Sequence, residues 1–277
     1  MIKIMVDSSS DCAKESGVYD FFIPITVNIN DNEYRDGLEL DSDTFYAMLL
    51  KSEEVPHTSQ PSPETFLEIF EQVKESGDEL IYFALSSELS GTYQSANIAK
   101  TMVDYEGIYI IDSRGATHMI AYLARYARKL INDGMSLNTI LDLCEKLKKR
   151  IKVFAGVDTL EYLKKGGRIG NAAALLGTIA NIKPLITVSE EGQVEAAGKA
   201  LGFGKAIQAI TEKVKTFDID PKFPISSLYT FGEENCIKLE QKLNDVGYKV
   251  DSRLQVGSTI GTHVGPGVYG VIFVTKQ

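Results

Sequence analysis

Little in this chain suits metal, disulfide or polyanion chemistry. Its 277 residues include no tryptophan, three cysteines and three histidines. Cys12, Cys144 and Cys236 lie far apart, with no CxxC pair and no zinc-ligand spacing, which argues against a disulfide framework and a structural zinc site. His57, His118 and His263 are equally dispersed, and no HxxxH or HExxH pairing suggests a bound metal. Basic residues are in the minority: 29 Lys and Arg against 38 Asp and Glu leave a net charge of −9. No basic stripe stands out, and the densest run, Lys146 to Lys152, reads as the end of an amphipathic helix. A nucleic-acid partner is therefore not expected, because phosphates are neutralised by Lys and Arg clusters.

Signal-peptide chemistry is missing too, since the short run Met1 to Val6 is followed at once by Asp7. The most apolar stretch, Ala172 to Ile182, is interrupted by Gly177 and Asn181 and falls short of the ~18 residues that a membrane span needs. A soluble cytoplasmic protein without stable membrane insertion is the expectation.

What is present is ordinary globular composition, 44% hydrophobic and 24% charged, in a chain long enough for two domains. The first half alternates strand and helix signals. Apolar runs at Ile2 to Val6, Phe21 to Ile29, Leu80 to Leu85, Ile108 to Asp112 and Ile151 to Val157 read as strands. Between them, Ser62-Pro63-Glu64 opens a helix that stops at Gly77, and further helices are predicted over 91–103, about 117–133 and 136–150. Strands this apolar, separated by helices, imply a parallel sheet covered on both faces.

After Val157 the pattern changes. Asp158 with Glu161 resembles a capping box for a short helix ending at Gly166-Gly167, and a helix over about 169–181 follows. Strand 184–189 turns at Glu190-Glu191-Gly192 into strand 193–197, a hairpin rather than a crossover. Helix 204–216, strand 225–230, helix 233–245 and strands 248–256 and 268–275 complete the chain. The expected fold is α/β in two domains. The first, 1–154, is a three-layer α/β/α domain with a parallel sheet, and the second, 155–277, is a two-layer α/β domain with a mixed sheet.

Parallel sheets bind ligands beyond the carboxyl ends of their strands. Three hydroxyl-rich loops qualify by position: Asp7-Ser8-Ser9-Ser10, Pro56 to Ser62, and Ser86-Ser87-Glu88-Leu89-Ser90-Gly91. Two of them open helices, where free N–H groups favour an anion, although Ser and Thr in such places also serve simply as caps. The G-x-G-x-x-G match at Gly265 to Gly270 has no room for a following helix, so a tight turn or a close backbone approach is expected instead. A serine hydrolase using Ser90 and His263 lacks the nucleophile elbow, because Glu88 stands where its first glycine belongs. His118, at a helix start, reads as structural. His263 is harder to assign to a core, since it lies between glycines in an irregular segment. Arg168 reads as a solvated charge at a helix end. The segment 172–182 reads as a core helix or as the contact for an apolar ligand.

The loops carry a resemblance. Val6-Asp7-Ser8-Ser9-Ser10-Asp11, Thr58-Ser59-Gln60-Pro61-Ser62 and Ser86 to Ala96 (SSELSGTYQSA) resemble the DegV family of bacterial fatty-acid-binding proteins. So do Asp158 to Ile169 (DTLEYLKKGGRI) and His263-Val264-Gly265-Pro266-Gly267, and the match runs in order over the full chain. Gly170, where the family often has serine, and Val268-Tyr269, where alanine is usual, depart from the pattern.

The resemblance implies a lipid-binding carrier rather than a catalyst, with no cofactor and no metal. It would hold one long-chain fatty acid such as palmitate between two domains. Thr58 and Ser90 would bind the carboxylate with His263 close by, and Arg168 would sit near the mouth. The Gly91 N–H, at a helix start, is a further suitable donor. It also implies a partner kinase that phosphorylates the presented carboxylate to an acyl phosphate for phospholipid synthesis. The alternative is a serine esterase or acyltransferase using Ser90 with His263 as base.

Overall fold

Residues 1–13, 16–175 and 181–276 are described by a computed structural model of the chain. The first half contains, in order, β1 (Ile2–Asp7), β2 (Phe21–Ile23), β3 (Thr26–Ile29), β4 (Asn32–Arg35), α1 (Ser42–Leu49), β5 (His57–Ser59), α2 (Pro63–Ser76), β6 (Glu79–Ala84), α3 (Thr92–Val103), β7 (Ile108–Asp112), α4 (His118–Asn132) and α5 (Leu137–Lys148). The second half contains β8 (Ile151–Gly156), α6 (Glu161–Lys165), β9 (Ile182–Val188), β10 (Val194–Leu201), α7 (Gly202–Val214), β11 (Ser226–Tyr229), α8 (Glu234–Asp245), β12 (Ser252–Gln255), α9 (Ser258–Val264) and β13 (Tyr269–Val274).

Four strands form a wholly parallel sheet in the order β2-β1-β6-β7. Alternation along its central strands divides their side chains between two helical layers. Met5, Leu80 and Tyr82 pack with Phe66, Phe70, Ala96 and Ala99 of α2 and α3. Ile4, Val6, Ile81 and Phe83 pack with Ile120, Leu123, Ala127 and Ile140 of α4 and α5. This is the expected α/β/α arrangement. Because β1 leads to β2 on one side while β6 and β7 lie on the other, their carboxyl ends diverge into a crevice.

Six strands form a mixed sheet in the order β10-β9-β8-β13-β11-β12. Helices α7 and α8 cover one face, where Ile207, Ile210, Leu239 and Leu243 meet Phe154, Val271 and Phe273. The other face, through Ile151, Val153, Leu228 and Ile272, joins the cluster around α4. Strand Ile151–Gly156, read from sequence as the last of the parallel series, bonds to β9 and β13 instead. A fully buried strand is a continuous apolar run in either kind of sheet, so the pattern alone could not place it.

The run Phe21 to Ile29 is broken at Pro24, whose missing N–H and fixed φ end β2. Beyond it, β3 joins β4 and β5 in a separate antiparallel sheet, ordered β4-β3-β5 and packed with α1 through Val27, Ile29, Phe45 and Tyr46. The helix predicted over 169–181 is a 3-10 turn at Gly170–Leu175, and residues 176–180 lie outside the described part of the chain. Helix α6 starts after Leu160 without a side-chain cap; Thr159 Oγ1 accepts the Glu161 N–H at 3.1 Å, and Asp158, expected as the cap, pairs with Lys183 at 2.9 Å. The glycines near the end do allow a close approach: Gly265 and Gly267 have φ of 77° and 78°, and side chains there would meet Tyr162 and Asp158.

Candidate functional site

Thr58 is the middle residue of β5, and strand alternation puts it on the face opposite exposed His57 and Ser59. It reaches α9, whose Val264 end carries His263. The segment read as irregular is thus a helix of seven residues, too short to show an apolar period. Thr58 Oγ1 and His263 Nε2 are 2.9 Å apart. The other ring nitrogen, Nδ1, is buried with no hydrogen-bond partner among the described residues and packs against Gly166, where a Cβ would stand 2.4 Å from it. Burial, then the charge of Arg168, lowers the His263 pKa to about 4, so the imidazole is neutral at pH 7.

From Gly166 the chain turns into Arg168. Its Nε donates to Leu89 O at 2.9 Å and its Nη1 to Gly166 O at 2.5 Å, so the guanidinium is held across the loop that follows β6. This corrects the sequence reading of a solvated helix-end charge. Ser90 comes next. Its Oγ lies 2.8 Å from Thr92 Oγ1 and accepts the Thr92 N–H at 3.3 Å, at the start of α3. Gly91 is the residue before that helix, and among the described residues no acceptor takes its N–H. A Cβ at Gly91 would fall 2.0 Å from Gln60 Oε1, and Gln60 Nε2 donates to Ser95 Oγ at 3.1 Å. Gln60 lies two residues beyond Thr58, which closes a circuit of contacts through Thr58, His263, Arg168, Ser90 and Gly91.

Thr58, Ser90, Arg168 and His263 line one cavity, enclosing about 970 Å³ of space partly continuous with solvent; Gly91 adjoins it without lining it. The remaining wall is mainly aliphatic: Val153, Ile186 and Leu228 come from the mixed sheet, Met119 from α4 and Leu85 from the loop just beyond β6 of the parallel sheet. Three more threonines line it, but their hydroxyls are committed within the chain. Thr117 donates to Asp11, Thr187 to Val153 O at 2.6 Å and Thr259 to Asp36 at 2.5 Å. No residue of 172–182 is among the described lining residues, and 176–180 fall outside the described part.

Of the three hydroxyl-rich loops, the first is used up by the fold. Ser9 donates its N–H and O–H to Asp7, Ser8 bonds Ile25 and Thr259, and Ser10 accepts from Cys12. Asp7 also accepts from Tyr82 OH at 2.6 Å and from the Leu85 N–H. His118 is buried with Nε2 on Gln255 O at 2.9 Å, and burial lowers its pKa to about 4, which makes it structural as read. No group of three His, Cys, Asp or Glu side chains suited to a metal exists among the described residues. Among the described residues no hydrogen bond joins Ser90 to His263, and no acid holds His263 Nδ1 as a hydrolytic triad requires. No helix among the described residues is long and apolar enough to cross a membrane.

Lining positions such as Met119, Val153 and Leu228 carried no sequence signal, because each is an ordinary apolar residue of its own strand or helix. The two hydroxyls were visible only as members of motif-like loops.

The whole chain is matched by a protein-family model described as "Uncharacterised protein, DegV family", over residues 1–276. A DegV domain-containing protein of Caldanaerobacter subterraneus subsp. tengcongensis is 36% identical over 281 residues, covering 99% of each chain. A DegV family protein from Thermus thermophilus, whose structure is described by its fatty acid binding, superposes with a TM-score of 0.90 at 32% identity, covering 99% of each chain. A stearic acid-binding protein from Eubacterium ventriosum superposes with a TM-score of 0.89 at 28% identity, covering 100% of this chain and 99% of its own.

Proposed function

The chain belongs to the DegV family, and on that premise we propose that it binds one long-chain fatty acid in the cavity between its two large sheets. The carboxylate would lie at Thr58, Ser90, the Gly91 N–H and His263. The observation that carries this reading is an aliphatic cavity lined by two hydroxyls, Thr58 and Ser90, each beside a neighbour that can act as its donor. A neutral His263 protonated at Nε2 donates to Thr58 Oγ1, which leaves the Thr58 hydrogen for the ligand and only a bare lone pair at buried Nδ1. With Thr92 O–H donating to Ser90 Oγ in the same way, the Ser90 hydrogen would be left for the second carboxylate oxygen. The start of α3 adds the dipole and the Gly91 N–H.

Hydrogen bonds to a charged carboxylate contribute about 1.5–3 kcal/mol each. Burying a palmitate-length tail contributes about 0.8 kcal/mol per methylene, some 11 kcal/mol before the cost of association. The tail thus sets affinity and the hydroxyls set position. The fatty acid-binding relatives of Thermus thermophilus and Eubacterium ventriosum support this ligand class.

The held carboxylate, with Arg168 near the mouth, would be presented in the cytoplasm to a separate kinase that makes the acyl phosphate. This chain is then a carrier and co-substrate, and supplies no catalytic residue. The two large sheets would mark two domains, with the boundary expected at 154/155 drawn back to just before Ile151 because β8 belongs to the mixed sheet.

Native mass spectrometry of protein purified from bacterial cells tests the proposal. One fatty acid per chain is expected, displaced by added palmitate. A chain that carries no lipid and takes up none sinks it, and ester turnover that disappears in Ser90→Ala would favour the esterase reading.

A further inference from the structure

Helix α9 begins without a cap of its own. Its first flanking residue is Gly257, and no side chain of its own segment takes a first-turn N–H. Gly257 has no room to be anything larger, since a Cβ there would stand 2.4 Å from Asp11 Oδ1. The cap arrives from a distant part of the chain instead. Asp36, at the end of β4, accepts the Thr259 N–H at 3.0 Å and the Thr259 O–H at 2.5 Å on one carboxylate oxygen. Asp36 is itself fixed, because its N–H donates to Ile25 O at 3.0 Å. Ser8 adds a third restraint: its Oγ accepts the Ile25 N–H and lies 3.0 Å from Thr259 Oγ1. The bonds therefore run in one direction, from the Ile25 N–H through Ser8 and Thr259 to Asp36.

Thr259 and His263 are four residues apart in α9, hence on the same face and about 6 Å apart along the axis. The small sheet that supplies Asp36 also supplies Thr58. It thus grips α9 at two points, Asp36 on Thr259 near the start and Thr58 on His263 near the end. Turning or sliding α9 would break one grip or the other.

We infer that Asp36 is a positioning residue for the carboxylate site: by capping α9 across the chain it sets where His263 meets Thr58. The inference rests on the fatty-acid reading for its consequence but not for its geometry. The test compares Asp36→Ala with Asp36→Asn in the full chain, reading the His263 ring nitrogens by NMR without ligand, then the release of palmitate. Asp36→Asn keeps an acceptor on Thr259, so its His263 signals should match the parent and its palmitate release should stay within about twofold. Asp36→Ala should move the His263 titration upward from about 4 toward the ordinary 6.5. It should also speed palmitate release by about tenfold, because a misplaced His263 lets Thr58 give up its hydrogen bond to the carboxylate.

A purely architectural acid would lower the melting temperature without moving the His263 titration, and that result overturns the inference. So does an Asp36→Asn variant as damaged as Asp36→Ala. If Asp36→Ala does not fold, Thr259→Val removes only the hydroxyl bond and should move His263 the same way by less; an unmoved His263 there is equally fatal. A parent protein that binds no fatty acid would refute the binding reading alone, since the NMR comparison needs no ligand.

Discussion

Helix α9 joins two buried polar regions of opposite character. At its start, Asp7, Ser8, Ser9, Asp36 and Thr259 form a knot bonded within the protein, although Ser258 Oγ and Asp11 Oδ1 beside it have no partner among the described residues. At its other end, Thr58 and Ser90 each share one hydroxyl contact, with His263 and Thr92, and line the cavity, while His263 Nδ1 has no partner among the described residues. Both regions are rich in serine and threonine, and in the sequence they look alike. The difference lies in what remains unbonded. A buried group whose bonding capacity is filled by its neighbours stabilises the fold, and one with capacity left over serves a ligand only where it also lines the cavity, as His118 and Ser258 do not.

The strongest way to break this contrast is to remove Asp7. Asp7→Ala would leave Tyr82 OH, the Leu85 N–H and both Ser9 donors buried and unmatched, at a cost of roughly 3–5 kcal/mol. Denaturant unfolding should show that loss, and a loss below about 1 kcal/mol would mean the knot is not structural.

The next effect is a dependence on pH at the open end. Burial depresses the folded-state pKa of His263 from 6.5 to about 4, so the unfolded chain takes up the proton first as pH falls. Stability present above 6.5 is therefore lost progressively toward 4. The sign is opposite for Asp7, Asp11 and Asp36, whose carboxyls burial pushes up and which favour the folded state when protonated. Comparing the parent with His263→Gln isolates the histidine. The parent should lose about 2 kcal/mol relative to the variant between pH 6.5 and 4, after allowing for partial solvent screening. A constant difference in unfolding free energy across that range would show that His263 is not held neutral by its surroundings.

The smallest effect on folding should come from the hydroxyls themselves. Thr58→Val and Ser90→Ala should each change unfolding free energy by less than about 1 kcal/mol while weakening palmitate binding about tenfold or more. Calorimetric titration beside thermal unfolding separates the two quantities. Variants that lose stability and keep affinity would place these side chains with the knot rather than with the ligand.

Much of the frame was legible in the chain. The apolar runs at Ile2 to Val6 and Leu80 to Leu85 announce strands buried on both faces, and they lie at the centre of the parallel sheet. Pro63 and Gly77 delimit α2 because each restricts or frees the backbone at a helix end. Ile151–Gly156 was misplaced because an apolar strand carries no mark of its partner. Helix α9 was missed because its seven residues lie between glycines and its cap comes from Asp36, far away in the chain.

The sequence by itself determined the alternation of strands and helices, the family and the set of hydroxyls available to a ligand. These depend on local preference, on spacing and on residue chemistry, all carried along the chain. Only the tertiary structure decided which hydroxyls stay open. Ser9 and Thr259 are closed by carboxylates, whereas Thr58 and Ser90 are backed by His263 and Thr92 and face the aliphatic cavity. That division depends on which atoms meet across 200 residues of chain in His263 and Thr58, and in Asp36 and Thr259. Hydrogen bonding is short-ranged in space and indifferent to distance in sequence.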